Sequence, residues 1–304
     1  MEPVFFTYDV FTQTVFGGNP LAVFPEGVCI DDAQKQRIAR EFNLSETVFI
    51  EPAHAPEHAA RLRIFTPAKE LPFAGHPTIG AALHLAWAGA LGALEDGDIR
   101  IFEEPAGPVP VRFGVENGTV KTARLMAPQP PRFVESPYSA DFLSALTGVP
   151  ASDIGLDEFR PAFVTCGTDY LLLPLANEAA LAQFWMRAEQ YPQAVAEAKA
   201  AGIDLNGLFA FTRHEGRWQA RMLWNDLGIA EDPATGSAAV CLAGYLARHE
   251  SAGNGHWQYA LWQGVEMGRP SQLSIEATKE GGVVTRCYVG GSAVLISKGT
   301  YLCL

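Results

Sequence analysis

The sequence predicts an α+β protein of two similar halves, in which short strands surround one buried helix in each half. Two segments, 71–94 and 233–247, contain no Asp, Glu, Lys or Arg. Strand-like stretches precede and follow both segments. The two segments also align with each other at a separation of about 160 residues, which indicates an internal repeat.

The first charge-free segment is long enough to cross a bilayer, which takes about 20 apolar residues. Its prolines restrict a helix to a start near Pro77 or Thr78, and we expect it to end near Gly92. A helix of about 15 residues that is apolar on every face is typical of a helix buried on all sides. We therefore expect a core helix, and no membrane as a partner.

The internal repeat includes the residues before each helix. AGHPTIGAALHLA aligns with ATGSAAVCLAGYLA, and an Arg-led stretch precedes each, RIFTPAKELPFAGHP and RMLWNDLGIAEDPATG. We place the first domain at 1–126 and the second at 127–290. We expect the last strand, about 291–304, to pack back on the first half.

Strands account for most of the remaining chain because short runs rich in β-branched and aromatic residues alternate with turns. Asp31 or Asp32 is expected to cap a surface helix, DDAQKQRIAREFN. The strand-like stretches are PVFFTYDVF, LAVFP, ETVFIEP, ARLRIFTP, IRIFEEP, VPVRF and KTARLM, then DYLLLPL, GLFAFTRH, RWQARML, SQLSIEAT, VVTRCYVG and AVLISKGTYLCL.

Composition limits the class of protein. Of the 304 residues, 48% are hydrophobic and 18% are charged, as in ordinary globular proteins. The net charge of −12 argues against nucleic acid as a partner. Five scattered cysteines without a CxxC pair, and an N-terminus without a signal-peptide pattern, favour a cytoplasmic protein with reduced thiols. No dinucleotide-binding GxGxxG follows a strand.

The starts of the two buried helices are the first candidate site. A helix N-terminus offers unpaired N–H groups and a positive dipole, so two of them where the halves could meet would bind a substrate carboxylate. Gly236 allows close approach of the backbone, and Ser237 adds a hydroxyl. The alternative is that Thr235 or Ser237 simply caps the helix.

Three titratable residues are candidates for acid–base chemistry. Asp232 precedes a proline, which presents it on a tight turn, and His76 stands at the other helix start. Glu46 enters an apolar strand, so it either lies in solvent at the strand end or sits in a cleft as a general acid/base. A metal site at His54 and His58 lacks a third ligand nearby, and Ser237 lacks a nucleophile-elbow motif.

Several stretches together resemble the PhzF family of phenazine-biosynthesis isomerases over essentially the whole chain. They are FGGNPLAVF, NLSETVFI, RIFTPAKELPFAGHPTIGAA, GIAEDPATGSAA, QGVEMGRPS and VGGSAVLISKG. The resemblance implies a diaminopimelate epimerase-like fold, with a mostly antiparallel sheet wrapped around a central helix in each half. It also implies a homodimer without metal or organic cofactor.

The resemblance implies roles for individual residues. Glu46 corresponds to the general acid/base, and His76 and Asp232 hold the substrate and assist proton movement. Gly75 accompanies His76, and Gly236 and Ser237 bind the substrate carboxylate. The implied reaction is isomerisation of trans-2,3-dihydro-3-hydroxyanthranilic acid by proton transfer.

One departure from the family pattern stands before the second helix, where Trp224 and Asn225 replace the usual residues. A bulky Trp224 there would change the pocket and with it the substrate. Two alternative hypotheses about the function stay open. One is an amino-acid racemase or epimerase, although no cysteine stands at 74–78 or 232–237. The other is a binding protein of the same fold without catalytic activity.

Overall fold

The computed structural model describes residues 2–224 and 230–302. The chain forms two compact units. The first contains the described residues up to Pro128, together with Arg269–Gln272 and those from Val289 onward. The second contains the described residues of Gln129–Gly268 and Leu273–Tyr288.

The first unit is built from strands around one central helix. Its elements are β1 (Val4–Val10), β2 (Asn19–Phe24), α1 (Asp32–Phe42), β3 (Glu46–Glu51), β4 (Ala60–Phe65), β5 (Glu70–Leu71), α2 (Gly75–Trp87), β6 (Ile99–Glu104), β7 (Gly107–Glu116), β8 (Thr119–Met126) and β18 (Ala293–Thr300). Most pairings are antiparallel, including β1 with β2 and with β18. Strand β2 pairs in parallel with β3, and β4 with β6.

The second unit has the same plan with more surface helices. Its elements are β9 (Arg132–Glu135), α3 (Ala140–Thr147), β10 (Ala162–Thr165), β11 (Asp169–Pro174), α4 (Glu178–Gln183), α5 (Tyr191–Ala200), β12 (Leu205–His214), β13 (Arg217–Leu223), β14 (Glu231–Asp232), α6 (Gly236–His249) and β15 (Gly255–Gln263). Strands β16 (Ser271–Glu280) and β17 (Val283–Gly291) carry residues of both units.

Helices α2 and α6 are the central helices, and their burial confirms the prediction from the charge-free segments. Strands β1, β2, β3, β4 and β8 pack around α2, while β10, β11 and β15 pack on α6. Small residues allow this close packing: a Cβ atom at Gly80 would lie 2.3 Å from Leu21 Cδ2. Among the described residues, no helix is long and apolar enough to span a membrane. The predicted α+β fold is therefore confirmed.

The ends of α2 differ from the prediction. The helix begins at Gly75, before Pro77, and ends at Trp87, well before Gly92. Pro77 fits within the first turn because its missing N–H would have no helical partner there. Beyond the helix, Gly89 and Gly92 adopt left-handed φ angles of 73° and 70°, which end helical structure. At α1, Asp31 is the capping residue and forms a capping box with Gln34.

The internal repeat is visible in two ion pairs formed by buried arginines. Arg63 on β4 binds the Glu70 carboxylate through Nε and Nη2, and Arg221 on β13 binds Glu231 in the same two-pronged way. Each glutamate stands five residues before the first glycine of a central helix. The ion pairs therefore fix the turn that leads into α2 and the turn that leads into α6.

The packing around the central helices predicts the cost of opening a cavity there. Leu83 on α2 and Leu242 on α6 have no exposed surface, whereas Leu295 on β18 is 51% exposed. We expect Leu83→Ala and Leu242→Ala each to lower the free energy of unfolding by about 2–5 kcal/mol in urea denaturation. The matched control Leu295→Ala should cost at most about 1 kcal/mol. Equal losses at all three positions would contradict this account of the core.

Candidate active site

In the first unit, a carboxylate and an imidazole meet at the start of α2. Glu46 is the first residue of β3, and His76 is the second residue of α2. Their side chains lie 3.2 Å apart, from Glu46 Oε2 to His76 Nδ1. Asn19 Nδ2, at the start of β2, lies 3.2 Å from the same ring nitrogen. All three side chains are at least nine-tenths buried.

The local strand order brings these residues together. Strands β2 and β3 run in parallel, with Leu21 opposite Glu46, so both strands begin at the same end of the sheet. The first turn of α2 lies beside the starts of these two strands and carries His76. The three groups thus come from three different elements, which fixes their relative positions more firmly than a single loop would.

His76 is a neutral imidazole at neutral pH. Burial lowers the pKa of His76 to about 3, and the Pro20 carbonyl opposes this shift only weakly. The contact with Glu46 is therefore a polar contact between a carboxyl group and an uncharged ring, and not an ion pair. A neutral ring can pass a proton or hold a substrate hydroxyl without cancelling the charge of Glu46.

In the second unit, Asp232 belongs to a hydrogen-bond network at the start of α6. The Thr235 hydroxyl donates to Asp232 Oδ2 at 2.5 Å. Gln263, the last residue of β15, donates through Nε2 to the Asp232 carbonyl and to Thr235 Oγ1 at 2.7 and 3.0 Å. Its Oε1 accepts the Thr235 N–H at 3.0 Å. Asp232 is 5% exposed, so the network holds a nearly buried carboxyl in place.

The first two residues of α6 are Gly236 and Ser237. The Ser237 hydroxyl lies 2.6 Å from the Tyr170 hydroxyl on β11. Thr235 occupies the N-cap position, but no side-chain capping bond forms there among the described residues. The Thr235 hydroxyl binds Asp232, and the Ser237 hydroxyl lies beside that of Tyr170. A helix start suits an anion in general, because its first N–H groups have no partners within the helix.

The structure thus joins Glu46 with His76 in one unit, and Asp232 with the start of α6 in the other. Gly75 is the first residue of α2. Trp224 is half-buried just beyond β13, whereas Asn225 lies outside the described residues.

Three supporting residues were missed by reasoning from the sequence: Asn19, Gln263 and Tyr170. A signal existed for two of them, since Asn19 stands in FGGNPLAVF and Gln263 begins QGVEMGRPS. Tyr170 stands in none of the motif stretches, and only the pairing of β11 near α6 reveals it.

Metal-binding residues are not grouped in the part of the chain that the structure describes: no cluster of three His, Cys, Asp or Glu side chains is placed to hold an ion. His54 and His58 instead share the carboxylate of Glu103, at 3.3 and 2.9 Å. Both contacts lie on the opposite side of β6 from α2. A structural role as partners of Glu103 therefore explains the two histidines.

Comparisons with known proteins place the chain in a family. A family model described as phenazine biosynthesis-like protein matches residues 8–299. An uncharacterized isomerase of Mesorhizobium japonicum is 36% identical over 297 residues, and the match covers 96% of each chain. The trans-2,3-dihydro-3-hydroxyanthranilate isomerase of Pseudomonas aeruginosa is 35% identical over 292 residues, again covering 96% of each chain.

A solved structure shows the same fold. The phenazine biosynthesis protein of the PhzF family from Bacillus anthracis superimposes with a TM-score of 0.86 at 22% identity, covering 99% of each chain. The resemblance found in the sequence motifs is therefore confirmed. With a family model that covers nearly the whole chain and relatives named as isomerases, this chain belongs to the PhzF family and is an isomerase with a diaminopimelate epimerase-like fold.

Proposed function

We propose that this isomerase moves a proton within a small carboxylate-bearing substrate of the trans-2,3-dihydro-3-hydroxyanthranilate type, as in phenazine-type biosynthesis. The observation that carries the proposal is the nearly buried Glu46 carboxyl beside the neutral His76 ring, 3.2 Å away. The Pseudomonas relative that bears this substrate in its name supports the substrate class. The proposed reaction uses neither a metal nor an organic cofactor.

Glu46 is the proposed general acid/base. Its carboxylate takes a proton from one ring carbon of the substrate and returns a proton to another carbon, and the resulting enol then becomes a ketone. A single carboxyl suffices for this because the same group alternates between base and acid. His76, as an uncharged ring, holds a substrate polar group and leaves the carboxylate basic.

The start of α6 is the proposed carboxylate-binding group. The N–H groups of Gly236 and Ser237 stand in the first turn, where the helix dipole favours an anion. Tyr170 orients the Ser237 hydroxyl through their 2.6 Å contact. Asp232, held by Thr235 and Gln263, is the proposed partner of the substrate amino group.

A two-thiol racemase is the weaker alternative. Such an enzyme places a reactive cysteine at each central helix start, but Ala74 and Thr235 are the N-cap residues here. The names of the relatives as isomerases also favour an enzyme over a protein that only binds. We further propose that the protein works in the cytoplasm as a homodimer.

The role of Glu46 predicts the behaviour of an isosteric variant. We expect Glu46→Gln to lower kcat on trans-2,3-dihydro-3-hydroxyanthranilic acid by about 10²–10⁴-fold, since an amide cannot exchange the proton. Substrate loss and deuterium incorporation would be followed by NMR in D2O. Glu41→Gln, on the exposed side of α1, is the matched control and should keep full activity.

Two other outcomes would change the account. Turnover that survives Glu46→Gln would remove Glu46 from the role of acid/base. Absence of turnover by the folded unsubstituted protein would reject this substrate, and the half-buried Trp224 would then be the first position to test for altered specificity.

The Tyr170–Ser237 contact predicts coupled effects on substrate binding. We expect Tyr170→Phe and Ser237→Ala each to raise KM about five- to tenfold, because one hydrogen bond contributes about 1 kcal/mol. The double variant should lose little more than either single variant, since the two hydroxyls act through one contact. Steady-state kinetics of the unsubstituted protein, the two single variants and the double variant completes this double-mutant cycle. Strictly additive losses would show that the two hydroxyls act independently.

A further inference from the structure

Glu104 is a buried carboxyl that the proposed chemistry does not use. It is the last residue of β6 and is 6% exposed. Its Oε1 atom lies 2.5 Å from the hydroxyl of Thr78, in the first turn of α2. The preceding residue, Glu103, points to the other side of the strand, where it binds His54, Ala55 and His58. Neighbouring glutamates of one strand thus have opposite surroundings.

Counting protons at Thr78 shows which form of Glu104 fits. Thr78 Oγ1 lies 2.6 Å from the carbonyl oxygen of Ala74 and 2.5 Å from Glu104 Oε1. A hydroxyl has one proton to donate, and a carbonyl oxygen can only accept. If Thr78 donates to Ala74, the short contact with Glu104 requires the carboxyl to donate its own proton. The geometry therefore fits a protonated acid that donates to Thr78, which in turn donates to Ala74.

The surroundings of Glu104 favour the same form. Burial raises the pKa of Glu104 to about 8, against smaller opposing effects of the Thr78 hydroxyl and the Ala74 N–H. Among the described residues, no charged side chain on β6, on the neighbouring strands or on α2 contributes to this pKa shift. The titratable group in the same helical turn, His76, is itself uncharged at neutral pH.

The second unit has an amide at the equivalent place. In the parallel pairings, Glu103 lies opposite Arg61, two residues before Arg63, and Trp262 lies opposite Gln219, two residues before Arg221. Since Arg63 and Arg221 are the matched arginines of the repeat, the next residues, Glu104 and Gln263, correspond.

Each of the two equivalent residues contacts a threonine hydroxyl at the start of its central helix. Gln263 accepts the N–H of the N-cap residue Thr235 and donates to its hydroxyl. Glu104 meets the hydroxyl of Thr78, which contacts the carbonyl oxygen of the N-cap residue Ala74. A protonated carboxyl and an amide can both donate and accept hydrogen bonds, whereas a carboxylate only accepts.

We propose that Glu104 is a positioning residue that acts as a neutral acid: it holds Thr78, and through Thr78 the Ala74 carbonyl and the first turn of α2 with Gly75 and His76. Its effect on catalysis rests on the proposed function, but its protonation does not. When Glu104 loses its proton, the single proton of Thr78 must serve two acceptors, Ala74 and the carboxylate. The start of α2 then loses one hydrogen bond, and His76 shifts relative to Glu46.

The first experiment is independent of any substrate. Infrared spectra of protein labelled with ¹³C-carboxyl glutamate should show a protonated-acid band at pH 7 that disappears as the pH rises through about 8. The band should be absent from Glu104→Gln and present in the matched control Glu103→Gln. A spectrum without the band at pH 7, or a band that survives Glu104→Gln, would overturn the proposal. Titration of the unsubstituted protein decides the point even if a variant fails to fold.

Positioning of His76 has its own readout. His76 does not titrate between pH 7 and pH 9, so a change of its imidazole ¹⁵N shifts in that range reports a change of surroundings. We expect the shifts to move in the unsubstituted protein and in Glu103→Gln, and to stay constant in Glu104→Gln. Constant shifts in all three proteins would refute a positioning role for Glu104.

Activity tests the functional consequence. With the dihydro-hydroxyanthranilate substrate, kcat/KM should fall about tenfold from pH 7 to pH 9 in the unsubstituted protein and in Glu103→Gln. Glu104→Gln should keep its neutral-pH activity and lose this alkaline decrease. An unchanged decrease in Glu104→Gln would contradict the role in catalysis. If the unsubstituted protein does not turn over this substrate at all, the proposed function fails while the infrared and NMR results still decide the role of Glu104.

Discussion

Each central helix begins deep inside its unit, and this burial is the constraint on which the rest of the structure depends. The first N–H groups of a helix have no partners within the helix and must be satisfied from outside. Neither Ala74 nor Thr235 caps its helix through a side-chain hydrogen bond among the described residues. At α6 the end of a strand provides one partner, because Gln263 accepts the Thr235 N–H; at α2, Glu104 contacts the first turn through the Thr78 hydroxyl. The same N–H-rich turns that need such support are the ones that suit an anionic substrate.

Charge is placed sparingly around these helix starts. Arg63 and Arg221 each pair with a glutamate, and burial keeps His76 uncharged. The Glu46 carboxyl therefore faces a neutral ring, a suitable neighbour for the acid/base role proposed for it. In the second unit, the carboxyl of Asp232 is fixed by a threonine hydroxyl beside an amide, so its position does not depend on a cation.

The fold could be predicted because burial leaves a direct mark on composition: α2 and α6 fall in segments without charged residues. The ends of α2 could not, because Pro77 is tolerated in a first turn and only left-handed glycines beyond Trp87 end the helix. At the site, Glu46, His76 and Asp232 stand in recognisable motifs. Tyr170 and Glu104 contact partners distant in sequence, Ser237 and Thr78, so no local pattern identifies them. The protonation state of Glu104 follows from which groups around Thr78 can donate or accept a proton, and only the atomic positions show this.

In the proposed reaction, a proton leaves one ring carbon of the substrate and another arrives elsewhere on the same molecule. The most direct measurement uses substrate deuterated at the carbon that Glu46 is proposed to deprotonate, with product analysed by NMR and mass spectrometry. The account predicts slower turnover than with undeuterated substrate and loss of the label from its original carbon. Equal rates, with the label still on its original carbon in the product, would contradict proton transfer at that carbon and the role proposed for Glu46.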